Sequence, residues 1–159
     1  MVNINDLIIR VLDIILSALG IIILSPIIII FVILIYLKDF QNPFYIAERI
    51  GLDGKSFKMF KLRSMIINAE KTGVDSTSSD DKRITKIGFL VRKYKIDEIP
   101  QLINVFIGEM SLVGPRPNVL RETNLYSETE QNLLSIVPGI TDLSSIVFSD
   151  ESEILKGSN

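Results

Sequence analysis

The chain has 159 residues, 47% of them hydrophobic, with no cysteine, no histidine and a net charge of −2. Disulfides, a thiol nucleophile, a histidine base and a Cys/His zinc site are thereby excluded, so any chemistry rests on carboxylates, hydroxyls, Lys, Arg or an oxygen-bound metal such as Mg²⁺. Charge is unevenly spread: Lys38 to Pro100 holds thirteen Lys and Arg against nine Asp and Glu, and Asn118 to Asn159 holds two against seven. The middle offers a positive field to an anionic substrate, while the acidic whole gives no reason to expect nucleic acid as a partner.

At the N-terminus, Leu7, Ile8, Val11 and Leu12 fall on one helical face and Asp6, Arg10 and Asp13 on the other, as in an approach to a membrane interface. Ile14 to Leu37 then carries no charge. As one helix it would be about 36 Å long, enough to cross a hydrocarbon core of about 30 Å. A cleaved signal peptide does not fit, because the block is too long and no small-residue cleavage site follows it. In its middle, Pro26 removes the hydrogen bond to the Ile22 carbonyl, and the Ser25 hydroxyl is placed to satisfy that group. Two readings follow, a kinked single pass or a helix-break-helix that enters one leaflet and returns. Flanking charge does not decide between them, since Arg10 on one side faces Lys38 and Arg49 on the other.

Residues 1–37 are therefore read as a membrane-embedded unit and 38–159 as a small domain of ordinary polarity, α+β and rich in helix. Phe44 to Ile50 alternates like a strand, Gly51 to Gly54 supplies a turn, and Phe57 to Arg63 returns, giving a β-hairpin with a bulge expected at Met59-Phe60. The hairpin presents Lys55, Lys58, Lys61 and Arg63 near the apolar element, where they could hold phosphates. Ser64 to Glu70 is expected to begin a helix, Lys71 to Asp81 to form a polar loop, and Ile84, Ile87, Leu90 and Val91 to mark a helix that also bears Arg83, Lys86 and Arg92. Next come Asp97 and Glu98. Pro100 fits a first helical turn, Leu102, Ile103, Val105 and Phe106 recur at helical spacing, and Gly108 is a stop, so the two carboxylates are placed at a helix's N-terminal end.

Beyond Gly108, Glu109 to Val113 reads as extended. Gly114-Pro115-Arg116-Pro117 is a turn whose prolines hold one guanidinium in place for a phosphate. Asn118 to Leu134 looks helical, Pro138 to Thr141 is read as a turn, and the remainder is acidic and weakly patterned. An apolar anchor, basic residues at its exit, a carboxylate pair and a fixed arginine suit a lipidic, phosphorylated substrate and phosphoryl transfer.

These segments carry a resemblance. The Ser25-Pro26 break, K-L-R-S-M at Lys61 to Met65, I-D-E-I-P-Q-L-I-N-V at Ile96 to Val105, G-E-M-S-L-V-G-P-R-P at Gly108 to Pro117 and V-P-G-I-T at Val137 to Thr141 resemble the bacterial sugar transferases known as monotopic phosphoglycosyl transferases. The resemblance implies transfer of a phospho-sugar from a UDP-sugar to polyprenyl phosphate with loss of UMP, at the cytoplasmic face of the bacterial inner membrane. It implies a re-entrant helix broken at Ser25-Pro26, Asp97 as a nucleophile that becomes phospho-glycosylated, and Glu98 as its helper, near Mg²⁺ or in proton handling. Arg92 and Arg116 match positions expected to hold phosphate or nucleotide, and Lys61 and Arg63 match the basic motif near the membrane. Two departures from the family pattern stand out. Asp142 follows Thr141 where a glycine is usual, and the family's catalytic domain usually continues past this turn, so an incomplete C-terminal part is expected. The competing reading is a non-catalytic membrane-anchored module, either a truncated, inactive relative or a scaffold for partner glycosyltransferases.

Overall fold

The computed structural model describes residues 4–69 and 81–142. Most of the expected polar loop and the acidic tail lie outside the described residues. Helix α1 (Ile4–Asp39) is followed by strands β1 (Phe44–Ile50) and β2 (Ser56–Leu62), α2 (Lys86–Lys93), α3 (Gln101–Ile107), β3 (Ser111–Val113), the short helices α4 (Leu120–Thr123) and α5 (Glu128–Gln131), and β4 (Gly139–Thr141). The helix-rich α+β class holds.

Helix α1 is long and apolar enough to cross a membrane. Its helical assignment continues through Pro26, so the expected helix-break-helix is a single element here. The local chemistry at the proline is as expected: the Ser25 hydroxyl donates to the Ile22 carbonyl at 2.8 Å. Both halves of α1 pack on the same domain. In the first half, Arg10 donates from Nη1 to the Val105 carbonyl and from Nη2 to the Phe106 carbonyl, closing the C-terminal end of α3. The buried Asp13 accepts the Leu112 N–H at 3.0 Å. In the second half, Ile28, Phe31, Val32 and Ile35 pack against Leu62 and Val91, and Asp39 takes both Nη groups of Arg63 at 2.7 Å each. Most other apolar side chains of α1 stay exposed, among them Ile22, Ile23, Ile29 and Ile30.

The hairpin forms as expected, with β1 and β2 antiparallel and Phe44 opposite Leu62 through to Ile50 opposite Ser56. That pairing is unbroken one to one, so the bulge expected at Met59-Phe60 does not form. The irregular hydrophobic phase has another cause. Met59 faces a core with Ala47, Val105 and Met110, while Leu62, on the opposite face, joins Ile35 and Val91. A strand buried on both faces loses its simple alternation.

Two further expectations change. Met65 bridges antiparallel to Ile84, and the Ile66 N–H donates to the Arg83 carbonyl. Residues 64–69 therefore form no α-helix, because their backbone groups pair with the segment ahead of α2. That pairing also moves the start of α2 to Lys86, where Thr85 caps it by accepting the Gly88 N–H at 2.9 Å. Gly88 is required there, since a Cβ would overlap the Ser64 carbonyl. The segment read as a turn at Pro138 to Thr141 contains β4, which pairs in parallel with β3. Asn118 to Leu134 contains α4, α5 and a 3₁₀ turn in place of one helix.

Candidate active site

The dipeptide Asp97-Glu98 lies in a 3₁₀ turn, Ile96–Glu98, that leads through Pro100 into α3. The chain reverses just before it at Lys95, which takes the left-handed conformation at φ 55. Gly108 ends α3 at φ 98, as its spacing predicted. So the carboxylates sit at the start of this helix, and what surrounds them decides their chemistry.

A cleft of about 630 Å³ opens beside them, and Lys61, Arg63, Arg92, Asp97 and Arg116 all contribute to its lining. Three separate stretches of sequence thus meet at one site. Asp97 is 8% exposed and its Oδ1 is buried without a hydrogen-bond partner among the described residues. Burial pushes its carboxyl up; Lys61 opposes this, Glu98 adds to it and Arg92 opposes it. Glu98 is held differently. Burial alone would raise its carboxyl, but Lys61 and Arg116 outweigh that and bring it down to about 2. Both cations bind Oε1, Lys61 Nζ at 2.9 Å and Arg116 Nη2 at 3.0 Å.

The cations differ in the same way. Lys61 and Arg116 are already engaged with Glu98. Arg63 lines the cleft, but its two Nη groups are engaged with Asp39, so it also fastens the end of α1 to β2. The Arg92 side chain lines the cleft on α2 and makes no hydrogen bond to a described residue. It is the guanidinium most available to a ligand.

Residues that were not singled out from the sequence also line the cleft, notably Tyr45, Arg49 and Gln101. For the first two a signal existed. In the β1–β2 register Tyr45 is opposite Lys61, and two-residue alternation puts Arg49 on the same face. Burial pulls the Arg49 guanidinium down from its ordinary value.

A cation is testable against these groups. No cluster of three or more potential acidic ligands occurs among the described residues. Mg²⁺ needs no such cluster, since one or two carboxylates completed by substrate phosphate oxygens suffice. The unpartnered Oδ1 of Asp97 beside Glu98 fits that donor set.

The sequence profile of the family described as bacterial sugar transferase matches residues 4–156. A Bacillus subtilis protein named as a candidate undecaprenyl-phosphate N-acetylgalactosaminyl 1-phosphate transferase is 45% identical over 132 residues, 83% of this chain and 70% of its own length. A galactosyl transferase of Streptococcus agalactiae is 40% identical over 75% of this chain and 30% of its own length. A UDP-glucose:undecaprenyl-phosphate glucose-1-phosphate transferase of Klebsiella pneumoniae is 35% identical over 91% of this chain. The chain spans 32% of that relative's length.

Proposed function

The chain belongs to the bacterial sugar transferase family, and from that membership we propose that it transfers a phospho-sugar from a UDP-sugar to polyprenyl phosphate, through a covalent intermediate on Asp97. The product would open the assembly of a membrane-associated glycan. One observation carries this reading: the buried Oδ1 of Asp97, without a hydrogen-bond partner among the described residues, in a cleft lined by Lys61, Arg63, Arg92 and Arg116.

Ionised Asp97 attacks the phosphorus that bears the sugar. As the Asp97 O–P bond forms, the bond to the bridging oxygen breaks, and that oxygen leaves with its electron pair as part of UMP. A phosphate oxygen of the polyprenyl acceptor then attacks the same phosphorus and restores the Asp97 carboxylate. Repulsion between a carboxylate and a diphosphate opposes the first step, and Lys61, Arg92 and Arg116 offset it at fixed positions. Glu98, kept ionised, holds Lys61 and Arg116 against the site. Asp97 and Glu98 would hold Mg²⁺, which would supply further neutralisation of phosphoryl charge.

The same reading makes α1 a re-entrant element at the cytoplasmic face of the inner membrane. Its support is that both halves of α1 pack on one domain, an arrangement a straight crossing would not allow. Arg63 joins the cleft to the end of α1, so the acceptor's phosphate can reach the site while its chain stays in lipid. In detergent with Mg²⁺, UDP-sugars and undecaprenyl phosphate, the protein is expected to release UMP. With a UDP-sugar alone, its intact mass should rise by one phospho-sugar, and Asp97→Asn should abolish both signals. Full turnover by Asp97→Asn would sink the covalent route. No UMP from any donor, with partner glycosyltransferases still bound, would favour the scaffold reading.

A further inference from the structure

Helical backbone runs on either side of Pro100, because Ile99 and Pro100 have φ/ψ of −56/−38 and −59/−19. Residues three and four apart therefore share a face. On that face Asp97, Gln101 and Asn104 form a buried polar stripe, 8%, 3% and 0% exposed. Asn104 is fully used within the protein: its Nδ2 donates to the Lys58 carbonyl and to Glu109 Oε2, and its Oδ1 accepts the Phe60 N–H. Asp97 is the nucleophile of the reading above. Gln101 has no such assignment. It lines the cleft beside Asp97, and its carboxamide makes no hydrogen bond to a described residue.

Gln101 is buried as a residue, yet its side chain lines the cleft, so its amide donors are left to whatever fills the cleft. A ligand oxygen placed there takes a hydrogen bond that the described residues do not. We propose that Gln101 binds substrate, its carboxamide N–H donating to a non-bridging oxygen of the phosphoryl group that Asp97 attacks. This inference rests on the reading of Asp97 as nucleophile. Position selects the phosphoryl group over the sugar or the base: side chains four apart on a helix are adjacent, and the phosphorus must touch an Asp97 oxygen in both steps. Neutrality also fits. A further cation here would pair with the Asp97 carboxylate and blunt its attack, whereas an amide directs the phosphoryl oxygen without competing for the nucleophile. No bond to Gln101 is made or broken.

The test uses Gln101→Met, similar in shape but unable to donate, and Gln101→Glu, similar in size but repelled by phosphate. Adduct formation on Asp97 from a UDP-sugar is timed by intact mass, and thermal melting is recorded for each variant. Gln101→Met should form the adduct about ten-fold or more slowly, the effect of losing one hydrogen bond to a charged oxygen, with melting unchanged or raised. Gln101→Glu should be slower still. Adduct formation by Gln101→Met at the parent rate overturns the proposal alone. A slower rate accompanied by a matching loss of melting temperature also overturns it, since that marks a structural role. A parent chain that forms no adduct and releases no UMP overturns both this proposal and the reading beneath it.

Discussion

Burial disfavours the ionised form of Asp97, whereas Lys61 and Arg116 overcome burial at Glu98, so two carboxyls of one dipeptide move in opposite directions. The sequence shows only a D-E pair; the environments that separate their roles come from β2 and from the turn at Arg116. The signs have consequences for stability. Asp97 has a folded pKa above its ordinary 3.8, so ionising it opposes folding once the pH exceeds that value. In Mg²⁺-free buffer Asp97→Asn should therefore raise the melting temperature near neutral pH, and the gain should vanish below about pH 3.8. Glu98 is the reverse, with a folded value of about 2 against an ordinary 4.5. Its contribution is complete above pH 4.5 and lost as the pH falls towards 2. Urea unfolding of Glu98→Gln at pH 7 should show a loss of about 3 kcal/mol, the low end for removing one partner of a buried pair because Arg116 is half-exposed, shrinking as the pH is lowered.

Between the hairpin and α3, one side chain does the work of a missing strand. Asn104 meets the outer edge of β2 at the Lys58 carbonyl and the Phe60 N–H, and its own carbonyl accepts N–H groups from Gly108, Glu109 and Met110. Asn104→Ala would leave several buried groups unpaired, so a loss of about 3 kcal/mol or more is expected by urea unfolding. Asn104→Leu, of similar volume, should fare no better. Local patterns in the sequence locate α1, β1, β2, α3 and the Gly108 stop, because each depends on short-range periodicity or on one punctuating residue. They miss what depends on distant partners. The Met65–Ile84 bridge takes residues 64–69 out of a helix, and β4 exists only because β3 lies beside it. The reversal at Lys95 carries no glycine to announce it. The site shows the same division: Lys61, Arg63, Asp97 and Arg116 stand in recognisable motifs, whereas Arg49 lies on a strand with no motif of its own, and Gln101, though inside a motif, is uncharged and adjoins the apolar residues that mark its helix. Arg63 was visible as a cation, yet its bonds to Asp39 could not be read from spacing.

At the scale of the whole molecule, the contacts of α1 make a topological statement that labelling can check. The chain lacks cysteine, so Ile4→Cys and Lys55→Cys each introduce a unique thiol at an exposed position. In sealed vesicles of known orientation, a re-entrant α1 places both thiols on the same side for a membrane-impermeant maleimide, whereas opposite sides would rule the re-entrant arrangement out. The polar ties of α1 carry a thermodynamic consequence as well. Arg10, Asp13 and Asp39 fasten the two ends of the apolar block to α3, to the start of β3 and to β2, so the domain cannot unfold without freeing those ends. Lipid that binds the seated helix is then a ligand of the folded state, and it enters the folding equilibrium by mass action. The domain's melting temperature should rise with the fraction of bilayer-forming lipid in mixed micelles, and Arg63→Ala, which releases Asp39, should weaken that dependence.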